Sequence, residues 1–115
     1  MPSHTPSVPL YDILETITEI QSVVQDLSLE AFNDNWLHRR AVERGIEIIS
    51  EASRRVPDEM KAEFSEIPWP KIAAIGNVLR HEYAYISSSI IWEVIHVHLP
   101  PLKTAVKALI DKYEK

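Results

Sequence analysis

A chain of 115 residues with 45% apolar and 25% charged side chains has the make-up of one soluble domain with a single core. Two glycines exclude most phosphate-cradling loops, and the lack of cysteine excludes disulfides, thiolate metal sites and thiol chemistry. The net charge of −5 opposes a long duplex-binding surface, yet residues 1–35 carry six acids and no Lys or Arg, while 36–56 carry five Arg against three Glu.

Pro2, Pro6 and Pro9 mark residues 1–8 as a mobile arm and leave 9–115 as one helical domain. Leu10, Ile13, Leu14, Ile17, Ile20 and Val24 recur at helical spacing, with Asp12, Glu15 and Glu19 off the stripe, and predict a helix over 9–26. Ser28 opens a short turn of helix ending near Asn33. Asn33 or Asp34 can then cap a long helix, since a short oxygen acceptor satisfies the free amides there. Its apolar set is Leu37, Ala41, Val42, Ile48, Ile49, Ala52 and Val56, and its charged face offers the pair Arg39–Glu43. Pro57 stops it.

A short helix is expected over 58–66, followed by a break at Pro68-Trp69-Pro70. The next helix, 70–84, carries Ile72, Ile75, Leu79 and Tyr83 on one stripe. Ser87, Ser88 and Ser89 are ready caps for IIWEVIHVH, which reads as a strand by propensity alone. With no other strand to pair with, it is expected to be a nearly all-apolar helix, buried in the core or between subunits. Pro100-Pro101 interrupts it, and a last helix carries Leu102, Val106, Leu109, Ile110 and Tyr113. The expected fold is all-α, an up-and-down bundle of four to five helices.

No apolar run reaches the roughly 18 residues that a membrane span requires. The opening MPSHTPSVPLYD lacks the basic and apolar regions of a secretory signal, so no membrane association and a cytoplasmic location are expected.

On the 70–84 helix, Asn77, Arg80, His81 and Ala84 stand at i, i+3, i+4 and i+7, opposite the apolar stripe. Histidine trades protons near neutral pH and arginine grips phosphate bidentately, so the set suits phosphodiester chemistry without a metal. The plain alternative is a solvated helix face that happens to hold these residues. Gly76 lies inside the same helix, where glycine costs about 1 kcal/mol relative to alanine. Close approach of a second backbone at a dimer seam is one explanation, and simple tolerance is the other.

The remaining candidates are weaker. His96 and His98 resemble an HxH metal pair, but on a helix they point about 200° apart, so neither a metal nor a cofactor is expected. His4 and His38 have no visible partner. Trp69 and Trp92 read as core or interface anchors and Trp36 as a helix start. Glu51 and Arg44 either line a groove beside the His81 helix or form a solvated face.

The segments IAAIGNVLRHEYAYI and IIWEVIHVHLPPLK, with AVERGIEIISEA on the long helix, resemble the HepT-like family of HEPN-domain proteins. The family motif is an Arg, a polar residue, three variable residues and His-x-Tyr, followed by an aromatic-containing helix and a Leu-Pro pair. The resemblance implies a homodimeric all-α toxin that acts as an endoribonuclease on RNA. It also implies a minimal nucleotidyltransferase antitoxin that silences the toxin by adenylylating the motif tyrosine. Asn77 matches the polar position, His81 the histidine and Tyr83 the tyrosine, whereas the family arginine falls on Gly76. Either Arg80 takes over the work of that arginine, or the chain is a catalytically weakened dimeric module that docks with the nucleotidyltransferase.

Overall fold

The computed structural model describes residues 7–82 and 87–114. Most of the arm expected over residues 1–8, and Tyr83 and Ala84, lie outside the described residues. Helix α1 spans Ser7–Val24, starting two residues earlier than its apolar stripe suggests, and buries Leu10, Ile13, Ile17, Ile20 and Val24. Short helix α2 spans Leu29–Asp34, and Ser28 caps it by accepting from the Ala31 amide at 3.1 Å. Asn33 and Asp34 are therefore inside α2 and do not cap the long helix.

That role falls to Asn35, whose side-chain oxygen accepts from the His38 amide at 3.0 Å at the start of α3, Trp36–Arg54. The expected Arg39–Glu43 pair does not form, because Arg40 takes Glu43 at 2.8 Å and Arg44 takes Glu47 at 3.2 Å. Three-residue spacing serves those pairs as well as four.

Helix α4 is Asp58–Ala62, and α5 is Trp69–Glu82. Pro70 stands in the first turn of α5, where a missing amide is tolerated. Ser87 caps α6, Ser88–Glu93, by accepting from the Ile90 amide at 3.3 Å. Pro100-Pro101 does not interrupt the rod that follows. Residues Val94–His98 form a π-helical turn, and α7, Leu99–Tyr113, continues with its prolines in the first turn.

The sequence contains the reason. Buried Ile91, Ile95 and Leu99 recur every four residues, a spacing that drifts about 40° per step on an ideal α-helix. A wider coil keeps all three on the core. The Leu99 amide bonds to the Val94 carbonyl, five residues back, just before the two residues that have no amide to give.

The bundle is all-α among the described residues. Helix α1 packs between α3 and α7, α5 lies against the other flank of α3, and α2 bridges α3 to α6. Phe32, Val42, Val106 and Leu109 are completely buried within it, and Trp69 is buried too. Trp92 is half-buried against Phe32, with ring centres 5.4 Å apart. Gly45 lets α1 close on α3, since a Cβ there would lie 2.8 Å from Ile20 Cδ1.

The ends of α4 and α7 are joined by Glu63, which accepts from Lys112 Nζ at 2.7 Å and from the Tyr113 hydroxyl. The hydrogen bond from Lys112, then that from Tyr113, holds the Glu63 carboxyl below its ordinary value. The same contacts with Glu63 raise Lys112 and Tyr113. A lowered carboxyl stabilises the fold above its ordinary pKa, and this is lost as pH falls through the lowered value. The raised Lys and Tyr contribute below their ordinary values, and this is lost as pH rises through the raised ones. Glu63→Gln is therefore expected to melt below the parent at neutral pH, with the gap closing at both acidic and alkaline extremes. A gap constant across a pH series of thermal melts would contradict the assignment.

Candidate active site

Helix α5 is the edge of the bundle, so one side faces α3 and the other faces solvent. Its apolar stripe does what the spacing predicts: Leu79 is buried, and Ile72 and Ile75 are half-buried against the core. Asn77, Arg80 and His81 are exposed.

The contact between α3 and α5 is polar at its centre. The Ser50 hydroxyl donates to the Ala73 carbonyl at 2.7 Å, and Arg54 Nη2 donates to the same carbonyl at 2.6 Å. The Gly76 amide lies 3.2 Å from Ser50 Oγ. A Cβ on Gly76 would stand 2.6 Å from Ser50 Oγ and 2.7 Å from Ser50 Cβ. The close approach that accounts for this glycine is thus made by Ser50 within the same chain, and no dimer seam is needed to explain it.

A small groove, a crevice of about 10 Å³, opens at this junction. Ser50, Glu51 and Arg54 line it from α3, and Asn77 and Arg80 line it from α5. Arg80 donates to the Asn77 side-chain oxygen, which fixes the guanidinium along the groove. His81 is exposed beside Arg80 but is not among the residues lining the groove. The structure thus brings Asn77 and Arg80 together and leaves His81 on the adjoining outer face, one helical turn beyond Asn77.

Of the two α3 residues singled out earlier, Glu51 lines this groove. Arg44 instead borders an apolar cleft between α1 and α3, with Thr16 and Ile48. Arg54 is the groove residue that sequence reasoning missed. Its signal was available only in part: Arg54 follows Ser50 by four residues, on one face of α3, but nothing in the sequence says that this face meets α5.

The remaining described histidines differ in their surroundings, and His38 Nδ1 is buried without a hydrogen-bond partner among the described residues. The His96 ring lies tilted by 43° against Trp92, with centres 4.3 Å apart, and its Nδ1 lies 2.9 Å from the Trp92 carbonyl. His98 ends the π-turn and is exposed. Among the described residues no three His, Cys, Asp or Glu side chains converge as a metal site would require. No described helix is long and apolar enough to cross a membrane.

Comparison with known proteins places this geometry in context. A family model described as ribonuclease HepT-like matches residues 13–109. A protein of Methanocaldococcus jannaschii, named as a candidate RNase, is 33% identical over 85% of this chain and 90% of its own length. A similarly named protein of Caldanaerobacter subterraneus subsp. tengcongensis is 35% identical over 94% of this chain and 96% of its own. A Thermococcus cleftensis protein provisionally named ribonuclease HepT is 33% identical over 82% and 86%. No solved structure matches the chain significantly.

Proposed function

This chain belongs to the HepT-like family of HEPN-domain ribonucleases, and we propose that it is an endoribonuclease that cleaves RNA by 2′-hydroxyl attack without a metal. The observation that carries the reading is the exposed polar face of α5, where Asn77 and Arg80 line a groove with His81 beside them. His81 takes the 2′-hydroxyl proton or returns a proton to the leaving 5′-oxygen, and the products are a 2′,3′-cyclic phosphate and a 5′-hydroxyl. Arg80 offsets the charge that builds on the phosphorus oxygens, and Asn77 holds Arg80 in place. Tyr83 contacts substrate and is the modification site.

The active form is a homodimer in which the two copies of α5 flank the RNA. Ile90 on α6 and Val97 in the π-turn, 45% and 54% exposed, are apolar side chains that a second copy would cover. Light scattering at micromolar concentration should give twice the chain mass, and a monomer mass would contradict it. The partner in regulation is a minimal nucleotidyltransferase antitoxin, and the pair forms a toxin–antitoxin system.

A second reading is supported by Gly76. The arginine expected there is missing, and Ser50 occupies the space a side chain would need. In that case the chain is a weakened nuclease whose main work is to dimerise and dock with the nucleotidyltransferase. Incubating purified protein with RNA, and inducing the gene alone in a bacterial host, separates the two. Cleavage and growth arrest that are both abolished by His81→Ala support the enzyme, and harmless accumulation supports the module.

A further inference from the structure

Two guanidinium groups from different helices border one groove, Arg54 from α3 and Arg80 from α5. Among the described residues neither has a carboxylate partner within salt-bridge distance, although Glu47 and Glu51 border the same groove. Those carboxylates are directed elsewhere: Glu47 pairs with Arg44 at 3.2 Å, and Glu51 lies 4.0 Å from Arg55. The two unpaired cations are nevertheless anchored. Arg54 donates one N–H to the Ala73 carbonyl and Arg80 donates one to Asn77. A guanidinium has five N–H donors in a fixed fork, so each keeps donors for an anion after its anchor is made. Gly76 also borders the groove, and its bare backbone adds no side chain to it.

We infer that Arg54 and Arg80 form a two-helix clamp for a phosphate of the RNA backbone, with Arg54 supplying from α3 the cation that position 76 lacks on α5. The inference deepens the ribonuclease reading and rests on it for the identity of the anion. Arginine is suited to the task because its planar fork meets two phosphate oxygens at once. The rival view is that Arg54 only ties α3 to α5 through Ala73.

The test uses the full chain and a single-stranded 2′-O-methyl oligoribonucleotide, which cannot be cleaved by 2′-hydroxyl attack. Binding is followed by fluorescence anisotropy over a salt series for the parent, Arg54→Gln and Arg54→Lys. Each phosphate contact on a single strand contributes about 0.7 to the slope of log affinity against log salt. Arg54→Gln should weaken binding about tenfold at low salt and reduce the slope by about 0.7. Arg54→Lys, which keeps the charge, should retain the slope.

A thermal melt that falls for Arg54→Gln while affinity and slope stay at parent values would mean a structural tie only, and would overturn the clamp. If Arg54→Gln both binds and cleaves as the parent does, the clamp fails and the ribonuclease reading stands. If the parent does not cleave RNA, titration with inorganic phosphate decides. Saturable NMR shifts of the Arg54 and Arg80 Nε–H signals support the clamp and place the failure on the nuclease reading. Signals that do not move overturn it.

Discussion

His81→Ala is expected to cleave RNA at least about 100-fold more slowly than the parent, because positioned proton transfer contributes about 10²–10⁴ to such reactions. The variant isolates chemistry from folding. His81 is exposed on the outer face of α5, makes no hydrogen bond or ion pair among the described residues, and is absent from the core. Surface substitutions of this kind usually stay within about 0.5 kcal/mol of the parent stability. Thermal melts of parent and variant should therefore superimpose while the cleavage rates diverge. His81→Gln, which keeps hydrogen-bonding capacity but cannot trade a proton in the same way, should be nearly as slow. A purified His81→Ala protein that cuts RNA at the parent rate would remove the histidine from the mechanism.

The second large effect concerns stability. Gly76→Arg is expected to destabilise the fold by about 1–3 kcal/mol, the usual cost of forcing atoms into a packed interior. Replacing a mid-helix glycine ordinarily gains about 1 kcal/mol, so the sign here depends on the neighbour. That neighbour cannot rotate away: the new Cβ would meet Ser50 Cβ at 2.7 Å, one bond from the α3 backbone, as well as Ser50 Oγ at 2.6 Å. Ser50→Gly removes both atoms, along with the hydroxyl that donates to Ala73.

The double variant Ser50→Gly/Gly76→Arg should therefore be more stable than the two single changes predict when added together. The coupling in a urea-denaturation cycle should be about 1–3 kcal/mol. Additive effects, or a Gly76→Arg protein as stable as the parent, would mean that the α3–α5 contact is looser than described.

Much of the fold was legible because its signals are local. The stripe of α1 packs inward as its spacing predicts. Of the set assigned to α3, Val42, Ile49, Ala52 and Val56 are buried, but Leu37, Ala41 and Ile48 are exposed and Ile46 is buried instead. Ser28 and Ser87 are caps that can be read directly from the sequence. The capping of α3 was misplaced because Asn33, Asp34 and Asn35 are three successive residues all able to cap. Only the length of α2, set by packing of Phe32, decides among them. The rod from α6 to α7 was read as broken because two prolines usually end a helix. They instead occupy the first turn after a π-turn, whose trace in the sequence is the four-residue spacing of Ile91, Ile95 and Leu99.

The groove was legible on one side only. Asn77 and Arg80 could be placed on a common face of α5 from their spacing. Arg54 could not, because it stands 23 residues from Asn77 in sequence, on another helix, and only the folded α3–α5 contact brings the two sides together. For the same reason the sequence leaves Gly76 open to either a dimer seam or simple tolerance, and only the fold identifies Ser50 as its neighbour. A glycine in a helix announces that something comes near, and not what.

The π-turn has a structural consequence for variation in this part of the chain. A coil that spends one extra residue in a turn absorbs a single-residue insertion, so the helix before it and the helix after it keep the faces they would have without that residue. Removing any one residue from Val94–His98 would let the segment relax to ordinary winding. Ile91 would then stand seven residues before Leu99, about 20° from the same face, so it would stay in the interior and Ser88 would keep Asn33, which its hydroxyl now reaches at 2.7 Å. Loss of one exposed residue from this stretch should consequently be tolerated better than loss of one from the ordinary turns of α7, where nothing absorbs the change of register.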